Sequence, residues 1–337
     1  MIAVIGCGYW GKNLIRNFAE LGVLSAICDH DQKKAEALGK FHGVRSLSVD
    51  DVLADVSIKA VVIAAAPRFN TELSYTALKA GKHVLVEKPY AFTHKDSEHL
   101  ESYLLELKQK SSPLVFMVGH LLLYHSAFLK IKELIAAGTI GSVQEIRCFR
   151  HGLGRVREEF GVLWELAPHD VSMMLDLNPY SVKHIEGLTS RSLTGKQDTI
   201  RVRYDFSNGV SGLLSCSWAE PVKQQQLIVQ GTHGYLIFDD TKGWAEKVHL
   251  IQFEDPMAIE SINQNQYVVK AVPIDEKEVL KAECQHFLDC IEQATPPVSD
   301  IKQARKVFDL LMRTQKILDD RKDLLLSMED TDQNVMY

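Results

Sequence analysis

Three groups of residues in this chain have the types and spacing to do chemistry. The first opens it: the apolar run "IAVIG" (2–6) leads into Gly6, Gly8 and Gly11, a Gly-x-Gly-x-x-Gly pattern. A strand, such a loop and then a helix can hold a pyrophosphate. Gly6 permits the tight turn, Gly8 lets phosphate approach the backbone, and Gly11 lets the helix pack closely. The first amides of the helix point at the anion. Tyr9 and Trp10 occupy the variable places of the loop and are placed with the cofactor contacts. Asp29 ends the next apolar stretch, "LSAICD" (24–29), at the interval of roughly twenty residues at which an acid reaches the adenosine ribose. A carboxylate there accepts from the ribose hydroxyls and repels a 2′-phosphate, and its neighbours are His30 and Asp31 rather than arginines. NAD is therefore expected over NADP. The same carboxylate could instead cap the helix that follows.

The second group is Glu87-Lys88-Pro89 in "GKHVLVEKPYA" (81–91). Glu87 and Lys88 fall at the carboxyl end of an apolar strand, where open α/β sheets bind ligands, and Pro89 ends that strand. The third is "GVLWELAPHDVSMML" (161–175), which reads as a helix. On it Glu165 and His169 are i, i+4 neighbours, so a carboxylate can orient or tune an imidazole for acid–base work. Arg155 and Arg157 precede that helix. Their planar forks suit a diphosphate or carboxylate, and they could equally be surface cations. Tyr124 and Asp170 complete the candidate substrate contacts.

These residues need particular elements to hold them. The first ~120 residues alternate apolar strands (2–6, 24–29, 60–67, 82–89, 114–120) with helical patterns (10–22, 31–43, 70–81), which is the rhythm of βαβ units and a parallel sheet. Covered on both faces, such strands read as unbroken apolar runs. After residue 121 the rhythm changes. A helix over 126–137 precedes longer strand-like segments ("VQEIRCFRHG", "TIRVRYDF", "VSGLLSCSWAE", "QQQLIVQGT", "GYLIFDD", "VHLIQFE"), with Asn208-Gly209 as a hairpin turn. Helices return at 278–293 and 300–318, the latter capped by Asp300, and most of 328–337 is expected as a frayed tail. The fold class is thus α/β: residues 1–120 form an N-terminal Rossmann domain with a parallel sheet that binds NAD. Residues 121–337 form a C-terminal α/β domain with a large, open, mostly antiparallel sheet.

With these motifs in view, the chain resembles the glucose–fructose oxidoreductase and inositol dehydrogenase family of NAD(P)-dependent sugar oxidoreductases, over nearly its whole length. The resemblance implies that Lys88 lies beside the nicotinamide and the reacting hydroxyl, and that His169 is catalytic. Glu165 stands where the family has aspartate, and Ala167 where it has glycine. After the third strand the family often shows Ala-Thr-Pro-Pro and a histidine. Here the run is Ala64, Ala65, Ala66, Pro67, with Asn70 in the histidine's place, so Pro67 and Asn70 join Glu87 and Lys88 as implied cofactor contacts. "GYWGKNLIRNF", "RHGLGRVREEFGVLWELAPHD", "SWAEPVK" and "GYLIFDD" resemble the branch that oxidises C3 of a UDP-N-acetylhexosamine or its uronic acid, ahead of an aminotransferase. The alternatives are a free-sugar or inositol dehydrogenase of the same family, or a catalytically silent NAD-binding regulator.

Composition bounds the rest. The 337 residues carry a net charge of −6, which argues against a general nucleic-acid surface. No apolar run reaches the ~20 residues of a membrane span, and the opening run is too short and lacks the basic flank of a signal peptide. Six scattered cysteines with no Cys-x-x-Cys pair suit a reducing cytoplasm, and the thirteen histidines show no zinc spacing, so no metal is expected. "LLSCSW" (213–218) and "LIVQG" (227–231) leave an apolar sheet face. The family's oligomers bury that face, implying a homodimer or homotetramer.

Overall fold

The structure, a computed structural model, describes residues 1–109, 113–154, 161–190, 197–253 and 267–332, with side chains up to residue 320. The chain folds into two compact units. One comprises Met1–His125 with Lys277–Phe308; the other comprises Ser126–Glu276 with the segment from Asp309 on. A division at residue 120 leaves out this return of 277–308 to the first unit.

The first unit is built on a six-stranded parallel sheet in the order β3-β2-β1-β4-β5-β6, with β1 (Ile2–Ile5), β2 (Leu24–Cys28), β3 (Arg45–Ser46), β4 (Ala60–Ile63), β5 (His83–Val86) and β6 (Phe116–Val118). Strands β1 and β4 are buried along their whole length, which is why their sequence is continuously apolar. The intervening helices are α1 (Tyr9–Glu20), α2 (Gln32–His42), α3 (Val49–Ala54), α4 (Asn70–Lys79) and α5 (His94–Gln109). Helix α1 turns Leu14, Ile15 and Phe18 inward. The Asp31 carboxylate accepts from the Lys34 amide and so caps α2, which leaves Asp29 for other work. Three short or polar elements lie outside the sequence reading: β3, α3 and α5. Helix α5 buries only Ser97 and Leu100 and so carries almost no apolar stripe; its start is fixed by Thr93, whose hydroxyl accepts from the Asp96 amide at 3.1 Å.

The second unit holds α6 (Ser126–Ala136), β7 (Val143–His151), α7 (Val162–Leu177), β8 (Val182–Ser190), β9 (Thr199–Phe206), β10 (Ser211–Ser217), β11 (Gln224–Gly231), β12 (Gly234–Asp239), β13 (Val248–Phe253) and β14 (Tyr267–Ala271). Its eight strands run in the order β14-β13-β12-β11-β7-β10-β9-β8. Every pairing is antiparallel except β10 with β7. The β9–β10 hairpin turns at Gly209, whose φ of +86° demands glycine. Alternation along the strands buries Val202, Tyr204, Leu214, Cys216, Leu227 and Val229. Helix α7 packs on β7, β9 and β10, so closely that a Cβ on Gly212 would lie 2.6 Å from the Met174 sulfur.

Helix α8 (Val279–Gln293) belongs to the first unit and packs on α1. Helix α9 starts at Ile301, with Asp300 accepting from the Gln303 amide at 2.9 Å, and it continues to Asp332. The expected frayed tail is therefore helical in its first residues, 328–332. Within the second unit the Thr314 hydroxyl of α9 meets the Tyr204 hydroxyl at 3.1 Å.

Candidate active site

Strand register places the candidate residues of the first unit on one edge. Ile5 is level with Cys28 and Ile63, Ile63 with Val86, and Val86 with Val118. The next residues, Gly6, Asp29, Ala64, Glu87 and Gly119, therefore leave the sheet side by side at its carboxyl edge, the edge at which such sheets bind ligands.

The three glycines do separate work. Gly6 has φ +105°, and a Cβ on it would lie 2.4 Å from the Ala64 carbonyl oxygen. A Cβ on Gly11 would come within 2.0 Å of the Gly6 carbonyl oxygen, so only glycine lets α1 sit on the turn. Gly8 precedes α1 in extended conformation, and nothing lies within 4 Å of where its Cβ would be. The open space in front of the first amides of α1, with no carboxylate in the helix's first turn, fits the pyrophosphate of a dinucleotide. Tyr9 is exposed to solvent.

Asp29 is tied into the same loop. Its Oδ2 accepts from the Cys7 amide at 2.5 Å and its Oδ1 from the Asp31 amide at 2.9 Å. Burial works against ionisation, but these two donors hold the carboxyl below its ordinary value. His30 Nδ1 also lies 2.9 Å from Oδ1; of the about four lone-pair sites of a carboxylate, one remains for a ribose hydroxyl. Burial and the Asp29 charge push the Cys7 thiol up to about 12, so it is inert.

The Glu87–Pro89 loop is held from two sides. The Trp10 indole donates to Glu87 Oε1 at 2.5 Å, joining the glycine loop to the end of β5. The Asn70 amide donates to the carbonyls of Glu87 and Pro89, both at 2.9 Å, on either side of the cis Lys88-Pro89 peptide. Asn70 is fully buried. It acts through the loop rather than as the direct cofactor contact expected from its position. Pro67 starts a 3₁₀ turn, Pro67–Phe69, that leads into α4. Tyr124 is also corrected: it is buried, and its hydroxyl meets Ser299 Oγ at 2.8 Å. It is a strut of the first unit rather than a substrate contact.

Two residues that sequence reasoning passed over belong to this neighbourhood. Glu283 of α8 is buried, and burial together with the Glu87 charge pushes its carboxyl well above the ordinary range. His120 follows Gly119 and is buried beside Lys88. Its signal was its place at the carboxyl end of a parallel strand; Glu283 gave none, being one acid among many on an amphipathic helix.

In the second unit α7 carries Glu165 and His169, both half-buried and one turn apart as expected. Pro168 lies inside this helix and removes one amide from its ladder. Asp170, expected at the substrate, instead spends both oxygens on Arg150 of β7, at 2.6 Å to Nε and 2.9 Å to NH2. With Asp170 1% exposed, this bidentate pair is a buried tie between helix and sheet. Arg155 and Arg157 lie outside the described residues. Among the described residues no three His, Cys, Asp or Glu side chains are grouped to hold a metal ion, and no helix is long and apolar enough to cross a membrane. All six cysteines are free and buried.

Comparison with known proteins gives matches across both units. Residues 1–119 match the model of an oxidoreductase family with an NAD-binding Rossmann fold, and residues 128–237 match the C-terminal domain of the same Gfo/Idh/MocA grouping. Among curated proteins, the UDP-N-acetylglucosamine 3-dehydrogenase of Acidithiobacillus ferrooxidans is 25% identical over 308 residues, covering 90% of this chain and 92% of that protein. The scyllo-inositol 2-dehydrogenase (NAD(+)) of Bacillus subtilis is 23% identical over 319 residues, covering 89% and 88%. Among solved structures, the A. ferrooxidans enzyme superposes with a TM-score of 0.82 at 21% identity, covering 95% of this chain and 97% of that one. An Agrobacterium radiobacter oxidoreductase in complex with NAD+, L-tartaric acid and magnesium gives 0.78 at 16% identity, covering 94% and 95%. These structural likenesses show the fold.

Proposed function

From the premise that this chain belongs to the Gfo/Idh/MocA family of NAD-dependent oxidoreductases, we propose that it oxidises a sugar hydroxyl to a ketone, most specifically C3 of a UDP-N-acetylhexosamine or its uronic acid. The observation that carries the reading is the carboxyl edge of the parallel sheet. There an open glycine loop, Asp29 and a doubly held Glu87-Lys88-Pro89 loop stand on neighbouring strands.

NAD, when bound, supplies the hydride acceptor. The residues of this chain do the rest. Gly6, Gly8 and Gly11 shape the pyrophosphate seat, and Asp29 receives the ribose. Two groups can take the hydroxyl proton: Lys88 in the first unit and His169, with Glu165 one turn away, in the second. As an ammonium, Lys88 stabilises the developing oxyanion while His169 acts as base; as a neutral amine, Lys88 is itself the base. The product ketone is the substrate class for a separate aminotransferase, which would yield a 3-amino sugar. The six free, buried cysteines suit a cytoplasmic setting. The half-exposed face of the second sheet, where Arg147 lies over Tyr235 and Tyr235 meets Phe253, supports a homodimer or homotetramer. Light scattering that gives the 37.9 kDa monomer mass at micromolar concentration would remove that part.

A free-sugar or inositol dehydrogenase is the second reading, favoured by the comparable match to the scyllo-inositol enzyme. The test is NADH appearance with UDP-N-acetylglucosamine, its uronic acid, free sugars and inositols. Because the ketone is formed uphill, the nucleotide sugars are assayed with a coupled aminotransferase and glutamate. Turnover of a UDP-sugar supports the reading, and turnover confined to unactivated sugars or inositols transfers it to the second.

A further inference from the structure

His120 is the feature of the first unit that the reading above leaves unused. The Gly119 amide donates to the Val86 carbonyl at 2.8 Å, so Gly119 and His120 continue from β6 alongside Glu87 and Lys88. The packing there is close: a Cβ on Gly119 would lie 3.0 Å from Glu87 Oε1. His120 is 3% exposed, and among the described residues neither ring nitrogen has a hydrogen-bond partner. An imidazole buried in this way leaves both a donor and an acceptor unsatisfied, which is costly unless something supplies the complement. Burial first, and the Lys88 ammonium second, push its pKa down to about 3. The ring is therefore neutral at any working pH and carries one N–H and one lone pair. The charged group that acts on the ring is Lys88; Glu87 lies against the preceding Gly119, and Glu283 of α8 acts on Glu87.

We propose that His120 is a binding residue of the Lys88 site, whose imidazole hydrogen-bonds a ligand group that can both donate and accept, and so orients that group beside Lys88. The chemistry it fits is that of a hydroxyl or a primary carboxamide. The inference rests on the dehydrogenase reading of Lys88, but not on which sugar is oxidised.

The test reads the ring itself. In full-length protein labelled with 15N-histidine, the His120 resonances are identified by their loss in His120→Gln, and they are expected to show a neutral ring down to pH ~4. NADH, ADP-ribose (which lacks the carboxamide) and UDP-N-acetylglucosamine are then added singly, and NADH with the sugar together. A His120 shift with NADH and none with ADP-ribose identifies the carboxamide. A shift that appears only with the sugar identifies a hydroxyl. His120 resonances that stay fixed while other signals report saturation with NADH, with and without the sugar, overturn the proposal. If no signal responds to the sugar, the nucleotide-sugar reading fails while the NADH arm still decides His120. As a second readout, His120→Phe removes both hydrogen-bonding groups and is expected to weaken the ligand assigned by the shifts by ~10–100-fold, whereas His120→Gln keeps both and stays within a few-fold. Equal weakening by both variants, in protein that retains its wild-type melting temperature, contradicts the proposal.

Discussion

Two arginine–carboxylate pairs, one in each unit, show how differently the units use charge. Arg16 of α1 pairs with Glu278, next to α8, with side chains 45% and 40% exposed. Arg150 of β7 pairs with Asp170 of α7, with side chains 13% and 1% exposed. The first pair sits in solvent, where long side chains, salt and water cancel most of the attraction. The second is bidentate and buried, so each ion depends on the other to offset its desolvation. The first unit therefore owes its geometry to backbone: glycines, strand register, amides held by Asp29 and carbonyls held by Asn70. In the second unit a buried side-chain pair ties the His169-bearing helix to the sheet.

The largest expected effect follows from that difference. Asp170→Ala leaves the Arg150 charge buried and unpaired and should lower the denaturant unfolding free energy by about 3–5 kcal/mol. A loss below ~1 kcal/mol would mean that water reaches Arg150. A smaller effect falls on the first unit. With Asp29 at the ribose, NAD should bind at least ~10-fold tighter than NADP, roughly 1.4 kcal/mol, by calorimetric titration. Equal affinities would assign Asp29 wholly to the amides of Cys7 and Asp31. The smallest is Arg16→Ala, expected to cost about 0–1 kcal/mol and to cost less still in high salt. A loss matching that of Asp170→Ala would erase the comparison.

The same difference decides what the sequence discloses. Gly6, Gly8, Gly11 and Asp29 were legible because backbone geometry writes itself into local residue type. The place of Lys88 just after β5 was legible because it ends an apolar strand, and the one-turn spacing of Glu165 and His169 because the segment has a helical pattern. Asp170 was misassigned to substrate because its partner, Arg150, lies on another element, and no local pattern joins them. Tyr124 was misassigned in the same way, since Ser299 is far along the chain. Asn70 was placed at the cofactor by its position, whereas burial turns its amide onto the loop carbonyls. Helix α5 escaped because a polar, barely buried helix has no apolar period to read. The return of residues 277–308 to the first unit is a property of packing and not of any segment.

The central claim is that Lys88 and His169 act on the hydroxyl that NAD oxidises. It is tested most directly by the turnover number for NADH formation from UDP-N-acetylglucosamine in the coupled assay, compared among wild type, Lys88→Met and His169→Ala. The account predicts that each substitution lowers kcat by ~100-fold or more, the loss of a proton-transfer or oxyanion partner, in protein that keeps its melting temperature. Turnover of the sugar with kcat unchanged within a few-fold in both variants would contradict it.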